Sequence, residues 1–355
     1  MRPLAGVTLP NFHATRPRRA GRSQMPGPYR HFDRLEAACA GLAPMPTAIV
    51  CPDDALSLQG ALATMRAGFI VPLLIGDAAK IRAAADAAGV DLDGIELIDA
   101  CDAAGSSSAP GSAAAAAAVA LVQQGRARAI MKGNLHSDTL LGQIVRREGG
   151  MRTGRRLSHA FVTDMPGFDR LVHVTDGALN IAPDLATKVD IAINAIELAA
   201  ACGAQPPRVA VLAAVETVNP QMPASVDAAL IARMADRDQI TGLPAGGVLI
   251  DGPLAMDNAI DAAAARTKRI RSEVAGRADV LLVPDIEAGN MVVKALTFIA
   301  GAETAGLVLG GRVPVMLTSR ADSPRARLVS CVLGLLLDDY RSTGRSRVAA
   351  PATAG

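Results

Sequence analysis

Two segments in the C-terminal part of the chain combine apolar, strand-like runs with residues that bind anions. Residues 280–283 form a short β-branched run that leads to Asn290 and, one helical turn further, to Lys294. A second run ends at Ser319 and Arg320. In an open parallel sheet, ligands bind beyond the carboxyl ends of strands, and glycines there let the backbone approach closely. Cations with amide and hydroxyl donors at two such ends predict a site for an anion or a phosphate ester.

Two other segments carry basic residues that suit the same kind of ligand. Lys132 and Gly133 follow a predicted strand over residues 129–131 and precede a predicted helix. This position favours anions, although a lysine at a strand end is also commonly just solvated. The connector over residues 149–156 holds three arginines, including Arg155, which either clamp phosphate groups or face water.

The composition limits the possible classes of protein. The chain has 355 residues, half of them apolar, which predicts two domains or one large one with a sizeable core. It has no tryptophan and a formal net charge of +2, which argue against nucleic-acid and membrane-surface binding. No apolar run reaches the roughly 20 residues of a membrane span. Five cysteines without CxxC spacing predict reduced, mostly buried thiols in a cytoplasmic protein.

The two ends of the chain differ from the rest. Residues 1–28 hold five arginines, five prolines and no acidic residue, which predicts a disordered basic leader. A transit peptide, a nucleic-acid-binding arm, or a translation start at Met25 are the alternatives for this segment. The tail over residues 342–355 is also predicted to be disordered.

The order of the predicted elements indicates the fold class. Between residues 29 and 137, predicted strands alternate with predicted helices, which is typical of a parallel sheet with helices on both faces. Asp77 and Gly89 fit the start and the end of one of these helices. The connector over residues 149–156 is the predicted crossing into a second domain. A helix predicted over residues 258–275 carries a basic patch, either a solvated face or part of a cofactor phosphate site.

Several motifs taken together resemble one family of enzymes. Residues 318–323, read with residues 284–290, resemble the phosphate acetyl/butyryltransferase family. The resemblance extends from about Tyr29 to Tyr340 and is closest to the butyryltransferase-like branch. In particular, the chain is similar to the acyltransferase half that follows an enoyl-CoA hydratase domain in some bacterial proteins, although no hydratase domain is expected here. The other matching stretches are residues 131–133, 175–176, 182–184, 216–219 and 251–254.

The resemblance implies a fold, a reaction and an assembly. The reaction is acyl-CoA plus phosphate to acyl phosphate plus CoA, with CoA as part of a substrate and with no metal or other cofactor. The fold is α/β, with two α/β/α domains of the isocitrate dehydrogenase-like kind, mostly parallel sheets and an active-site cleft between them. Residues 29–153 plus 312–341 would form the first domain and residues 154–311 the second. A cytoplasmic homodimer is expected, without nucleic-acid or membrane partners.

The resemblance also assigns roles to individual residues. Arg320 matches the active-site arginine of the family, whose planar guanidinium would bind phosphate or acyl phosphate. Ser319 matches the adjacent serine, a hydrogen-bond donor near the thioester. These two are the catalytic candidates. The substrate-binding candidates are Lys132, Gly133, Arg155, Asp176, Asn290 and Lys294.

One departure from the family concerns the general base. Acetyltransferase members carry an aspartate six residues after the active-site arginine, and this chain has Ala326 there. Asp322 or Asp176 would have to substitute, or the phosphate dianion attacks unaided. A cysteine that is common in the acetyl branch is replaced by Gly177. Because no cysteine is placed to form an acyl-enzyme, direct transfer is favoured.

Two other functions are compatible with parts of the sequence. Metal-dependent decarboxylating dehydrogenases share the expected architecture and need clustered aspartates and a nicotinamide site. Asp251, Asp257 and Asp261 imitate such a cluster, but they fit capping or surface roles, and no GxGxxG follows a strand. The second alternative is a catalytically silent protein that binds CoA or acyl phosphate, because the expected base is absent. The retained Ser319, Arg320, Asn290 and Lys294 argue against it.

Overall fold

The first part of the chain alternates helices with strands, as the sequence predicts. The carboxylate of Asp77 accepts hydrogen bonds from the Ala79 and Lys80 N–H groups, and Gly89 ends the same helix in the left-handed conformation with φ of 63°. Both predicted caps are therefore confirmed. In chain order the elements are α1 (Arg30–Ala38), β1 (Met45–Val50), α2 (Ala55–Arg66), β2 (Ile70–Gly76), α3 (Ala78–Ala88), β3 (Glu96–Asp99), α4 (Ser112–Gln123), β4 (Ala129–Lys132) and α5 (Ser137–Ile144).

The second part of the chain contains the remaining strands and the two longest helices of the described chain. The helix predicted over residues 258–275 is instead two short helices, because Asp261 has φ of −115° and ψ of 113° and its carboxylate caps a new helix. The elements are β5 (Ser158–Asp164), β6 (Val172–Thr175), α6 (Leu185–Ala201), β7 (Arg208–Leu212), α7 (Pro223–Asp236), β8 (Leu249–Leu254), α8 (Met256–Ile260), α9 (Ala262–Thr267), β9 (Val280–Leu282), α10 (Ile286–Phe298), β10 (Glu303–Leu309), β11 (Val315–Met316) and α11 (Pro324–Thr343).

The computed structural model describes residues 29–317 and 323–349, except residues 104, 106 and 148. Its eleven described strands form one sheet in the order β3-β2-β1-β4-β11-β10-β5-β6-β9-β7-β8. The strands from β3 to β11 are parallel to one another, and so are β6, β9, β7 and β8. Between these groups, β10 is antiparallel to β11 and β5, and β5 is antiparallel to β6. The predicted α/β class with a mostly parallel sheet is confirmed.

The reversal of direction at β10 and β5 has a geometric consequence. The two parallel groups point in opposite directions, so their carboxyl ends lie at opposite margins of the sheet. The predicted boundary between residues 311 and 312 falls where Val308 of β10 pairs with Val315 of β11. The sheet is continuous across that boundary, and the division into two domains stays a prediction.

Helices cover both faces of the sheet. Helix α11 packs against α1, α2 and α6 and against β10 and β11. Its residues 329–337 are buried, which is typical of a helix that is apolar on all sides. Ser323 and Pro324 start this helix, since the Ser323 hydroxyl oxygen accepts a hydrogen bond from the Ala326 N–H and proline suits the first turn. No helix among the described residues is long and apolar enough to cross a membrane.

Polar contacts attach α1 to the middle of the sheet. The buried carboxylate of Asp164, at the end of β5, accepts hydrogen bonds from the His31 and Phe32 N–H groups, both at 2.8 Å. Arg325 pairs with Asp33, with Glu36 at 3.0 Å and with Glu303 at 2.9 Å. The first helix is thereby joined to β5, β10 and the start of α11.

The C-terminal segment is folded further than the sequence predicts. Helix α11 extends to Thr343, beyond the predicted start of a disordered tail at residue 342. The Ser346 hydroxyl donates a hydrogen bond to the Ala201 carbonyl at 2.8 Å, and Val348 is buried. The prediction for residues 342–349 is therefore corrected, because one apolar side chain and one hydroxyl anchor them to α6. The predicted disorder of residues 1–28 and 350–355 lies outside the described residues.

Asp279 joins three strands at the amino-terminal ends of β6, β9 and β7. Its carbonyl accepts a hydrogen bond from the His173 N–H at 2.8 Å, and its carboxylate accepts one from the Arg208 N–H at 2.9 Å. Burial raises the pKa of the Asp279 carboxyl to about 6, against the opposing hydrogen bond from Arg208 and the charges of Arg208 and Arg170. The folded chain therefore retains this proton more tightly than the unfolded chain does.

Replacing Asp279 by asparagine should reduce the dependence of stability on pH. Because the pKa in the folded state is raised to about 6, the stabilising contribution is complete below about pH 4 and is lost as the pH rises to 6. We expect the free energy of unfolding of the wild type to fall by about 2–3 kcal/mol over this range relative to Asp279→Asn, measured by urea denaturation. Asp93→Asn, on an exposed loop, is the control. Parallel pH profiles for wild type and Asp279→Asn would contradict the prediction.

Candidate active site

The first group of candidate residues lies at the carboxyl end of β4 and is named the Lys132 cluster, comprising Lys132, Gly133, Asn134, Asp53 and Arg327. The half-buried Lys132 ammonium donates hydrogen bonds to the carbonyls of Leu135 at 3.0 Å and Gly133 at 3.2 Å. The Asn134 amide donates to the Asp53 carboxylate at 3.0 Å. These contacts tie the loop after β4 to the loop after β1.

Gly133 is required by the packing of these two loops. Its N–H donates to the Val50 carbonyl at 2.8 Å. A Cβ atom at this position would lie 2.4 Å from the Cys51 carbonyl oxygen and 2.6 Å from that of Val50. Only glycine allows this approach, which fixes the adjacent Lys132 relative to β1.

Arg327 is a member of this cluster that the sequence did not single out as a site residue. It lies in the first turns of α11, is only 5% exposed, and donates from Nη1 to the Leu56 carbonyl at 2.8 Å. Leu56 belongs to the first turn of α2, three residues after Asp53. Its basic type near the Ser-Arg motif was visible in the sequence, but its burial beneath α2 depends on tertiary packing.

The segment that contains the two catalytic candidates connects β11 to α11. Ser319 and Arg320 lie outside the described residues, as does Asp322. The residues that flank this segment are described. Met316 of β11 pairs with Met131, which precedes Lys132. Ser323 caps α11 about one helical turn before Arg327. Both ends of the segment are therefore attached to the elements that carry the Lys132 cluster.

The second group lies at the carboxyl ends of β6 and β9 and is named the Asp176 cluster, comprising Asp176, Gly177, Gly289, Asn290 and Lys294. Asp176 is 2% exposed. Its carboxylate accepts hydrogen bonds from the N–H groups of Ala178 at 2.9 Å and Leu179 at 3.0 Å, and from the Asn180 side chain at 2.6 Å. These donors occupy the carboxylate and shape the loop, so Asp176 has the environment of a structural cap.

Two glycines bring that loop against the start of α10. A Cβ on Gly289 would lie 2.7 Å from the Asp176 carbonyl oxygen, and a Cβ on Gly177 would lie 3.1 Å from the Gly289 carbonyl carbon. The Asn290 amide donates to the Gly177 carbonyl at 3.3 Å. Lys294 is exposed one turn further along α10. A side chain at position 177 would be in tight contact with the backbone of α10, which would have to shift by a few tenths of an ångström.

The two clusters follow strands that are not neighbours in the sheet. β4 and β6 have β11, β10 and β5 between them. Four strand spacings of about 4.8 Å place roughly 19 Å between the strand that carries Lys132 and the strand that leads to Asp176. Lys132 and Gly133 thus lie together, and Asp176, Asn290 and Lys294 lie together at the opposite strand ends.

Arg155 belongs to neither cluster. Its guanidinium lies 3.4 Å from the Glu197 carboxylate of α6, which also accepts hydrogen bonds from Arg341 of α11 at 3.1 and 2.8 Å. Burial opposes the ionisation of Glu197, yet the hydrogen bond and charge of Arg341, together with the charge of Arg155, lower its pKa. In this structure Arg155 links the start of β5 to α6 and α11, and its role in substrate binding stays a prediction.

His159 is a buried polar residue near the Asp176 cluster that the sequence did not indicate. It is 5% exposed, its ring centroid lies 4.1 Å from that of Phe161, and Nδ1 has no hydrogen-bond partner among the described residues. Burial lowers the pKa of His159 to about 4, against the opposing charge of Asp176. The ring is therefore neutral near pH 7.

The cysteine thiols and the aspartates bear on two other candidate chemistries, nucleophilic catalysis by a thiolate and the binding of a metal ion. Burial raises the pKa of the Cys51, Cys39 and Cys331 thiols to about 12, so the thiolate nucleophile is not available there at neutral pH. Within the described ranges, no group of three or more His, Cys, Asp or Glu side chains could hold a metal ion. Asp257 lies 3.6 Å from Lys268, and the Asp261 carboxylate accepts a hydrogen bond from the Ala263 N–H. Asp257 thus has the surface position, and Asp261 the capping role, that the sequence favours.

Comparisons with known proteins agree with one another. A family model described as phosphate acetyl/butaryl transferase matches residues 105–333. The phosphate acetyltransferase of Rhizobium meliloti is 49% identical, over 89% of this chain and 96% of that protein. The phosphate butyryltransferase of Clostridium beijerinckii is 38% identical, over 87% of this chain and 98% of that protein. Among solved structures, a branched-chain phosphotransacylase from Enterococcus faecalis V583 has a TM-score of 0.69 and 28% identity, over 83% of this chain and 99% of that chain.

Substituting Gly289 by alanine should damage the Asp176 cluster. The new Cβ would meet backbone atoms at 2.7–2.8 Å, so either the loop or α10 must move. We expect a loss of about 2–4 kcal/mol in the free energy of unfolding, measured by urea denaturation. Gly142→Ala in α5 is the matched control, because nothing lies within 4 Å of its added methyl group. Equal stability of the two variants would show that the close approach is not a constraint.

Proposed function

The chain belongs to the phosphate acetyl/butyryltransferase family, and on this basis we propose that it catalyses the reversible reaction of an acyl-CoA with phosphate to give acyl phosphate and CoA. The chain covers nearly the whole length of its R. meliloti relative, so the proposal concerns the complete transfer reaction. The acyl group is acetyl or another short chain such as butyryl, because relatives of both names align along most of the chain.

The observation that supports this function best is the Lys132 cluster, which lies on the elements that flank the Ser-Arg segment in the chain. The side chains of Lys132 and Arg327 are cations that donate hydrogen bonds to backbone carbonyls, which orients them. Both flanks of the segment with Ser319 and Arg320 are attached to the same elements. A phosphate group is a suitable ligand for a cluster with two cations, since it accepts several charge-assisted hydrogen bonds at once.

We propose direct transfer within a ternary complex. An oxygen of the hydrogen phosphate dianion attacks the thioester carbonyl carbon, the new C–O bond forms and the C–S bond breaks. The departing CoA thiolate takes up the proton that the phosphate group loses. Arg320 would bind the phosphate through its planar guanidinium, and Ser319 would donate a hydrogen bond near the thioester. Positioning of the two substrates supplies much of the rate. The high pKa of the buried thiols argues against an acyl-cysteine intermediate.

The proposed mechanism needs no protein residue as a base. Ala326 cannot accept a proton, and it occupies the first turn of α11. Asp176 is buried and its carboxylate oxygens accept several hydrogen bonds from its own loop, so these oxygens are already occupied by protein donors. The phosphate dianion can attack without a protein base, since its nucleophilic oxygens are already ionised at neutral pH.

We also propose a cytoplasmic homodimer without nucleic-acid or membrane partners. The free cysteines and the CoA substrate suit the cytoplasm. Met291, Phe298 and Ile299 at the outer side of α10 are 66%, 81% and 85% exposed, which is costly for a monomer and suits a face shared by two copies. We expect sedimentation to give twice the mass of the 36.4 kDa chain, and Phe298→Asp to give the monomer mass. Val218→Asp, elsewhere on the surface, should sediment as the wild type does.

Phosphate-dependent loss of the thioester would test the activity. Acetyl-, propionyl- and butyryl-CoA would be offered in turn, with and without phosphate, and thioester absorbance followed, because the exposed Cys101 would react with thiol reagents. We expect turnover only with phosphate, and a fall of about a hundredfold or more in kcat/KM for Arg320→Ala. Exposed Arg312→Ala is the matched control. Absence of turnover in folded protein that still binds CoA would favour the silent binding protein.

A further inference from the structure

A cavity of about 240 Å³ lies at the amino-terminal ends of β6, β9 and β7, away from both clusters. Its walls come from α1, from the loop before β6, from the end of α6 and from the C-terminal segment at Val348 and Ala349. The cavity is therefore closed by the first and the last described segments of the chain. It is smaller than the roughly 300–1,000 Å³ of pockets that hold drug-sized ligands.

Arg208, which forms part of the wall, has unused hydrogen-bonding capacity. Its guanidinium lies 3.9 Å from the Asp279 carboxylate, a charge contact without a hydrogen bond. Its Nε is buried and has no hydrogen-bond partner within the described chain. A guanidinium presents five N–H donors in a planar array that matches a carboxylate. Arg208 is thus held in place by Asp279 with its donors available to an anion.

His173, also in the wall, offers a hydrogen-bond acceptor, whereas Arg208 offers donors. It is 1% exposed, and its Nδ1 lies 3.0 Å from the Asp279 carbonyl oxygen. A carbonyl only accepts, so Nδ1 carries the proton. Burial lowers the pKa of His173 to about 4, so the ring is neutral and Nε2 is an unprotonated acceptor. Nε2 is buried and has no partner in the described part of the chain, which is costly unless a donor reaches it.

The charges around the cavity limit the charge of a ligand. Arg34, Arg170 and Arg208 are balanced in part by Asp169 and Asp279, which leaves one net positive charge when the histidines are not counted. Arg170 is already committed, since it binds Asp169 at 2.7 Å and donates to the carbonyls of residues 260, 276 and 278. Arg34 also lines the cavity and donates from one guanidinium nitrogen to the Ala349 carbonyl at 2.6 Å. One net charge fits a monoanion.

We propose that this cavity binds a small hydroxycarboxylate monoanion, with its carboxylate on Arg208 and Arg34 and its hydroxyl donating to His173 Nε2. The two buried groups without partners are of complementary kinds, and a single ligand with an acceptor group and a donor group satisfies both. Because the cavity joins α1 and the C-terminal segment to β6, β9 and β7, the ligand stabilises the folded chain by binding only when these segments are together.

Lactate and propionate are matched probes, since they differ in size by only a hydroxyl group. Binding to the full chain would be followed by saturation-transfer NMR at constant ionic strength, together with the shift in Tm. We expect saturable binding of lactate, about tenfold tighter than that of propionate, and a rise in Tm with lactate. Arg208→Gln should weaken lactate binding at least about tenfold. His173→Asn keeps a donor for the Asp279 carbonyl but lacks the second nitrogen, so it should bind the two acids equally.

Two control variants locate the binding. Arg237 is exposed at the end of α7, and Arg237→Gln should bind lactate as the wild type does. Lys132→Gln, which alters the Lys132 cluster, should also bind lactate as the wild type does. If Arg208→Gln does not fold, Arg34→Gln on the rim of the cavity replaces it. The proposal is overturned if the wild type shows no saturable lactate binding, if lactate binds no more tightly than propionate, or if a folded Arg208→Gln or Arg34→Gln binds lactate unchanged. Loss of binding in Lys132→Gln alone would place the lactate at the Lys132 cluster and would also refute it.

Discussion

The antiparallel pairing of β5 with β10 is the interaction on which the rest of the structure depends. Seven residue pairs, from Glu303 opposite Asp164 to Leu309 opposite Ser158, fix its register. Ala160, Val162 and Leu307 thereby face the core beneath α11 and α6, and a slip by one residue would turn them to the other face. This pair also reverses the direction of the sheet. Because of that reversal, the carboxyl end of β4, which carries Lys132, and the carboxyl end of β6, which leads to Asp176, lie at opposite margins of the sheet.

Within each cluster, a close backbone approach positions the functional side chains. Gly133 lets the loop after β4 lie against Val50 and Cys51, and Gly289 lets α10 lie against the loop at Asp176. In both cases the side chain of interest is the residue next to the glycine, Lys132 or Asn290. The glycine contributes no chemistry of its own, yet its absence of a Cβ fixes the neighbouring cation or amide within hydrogen-bonding distance of its partners.

The sequence was informative where local chemistry decides the structure. The caps at Asp77 and Gly89 and the alternation of strands and helices before residue 137 were predictable, because capping and periodicity are local. The membership of the family was predictable from motifs. The reversal of the sheet was not, since it depends on strand pairing across more than a hundred residues. The sequence also could not predict the burial of Arg327 under α2 or the ion pair of Arg155 with Glu197. In each case the arginine and its partner are distant in sequence.

The position of β11 has a consequence for biosynthesis. β11 lies between β4 and β10, although β4 leaves the ribosome well before β11 does. During translation the strands from β3 to β4 can pair, and so can the strands from β5 to β10, but the two groups cannot join until residues 315–316 and α11 emerge. The nascent chain therefore carries two open sheet edges until β11 emerges, a state in which pairing with another chain competes with folding. A stop codon before α11 would make that transient state permanent.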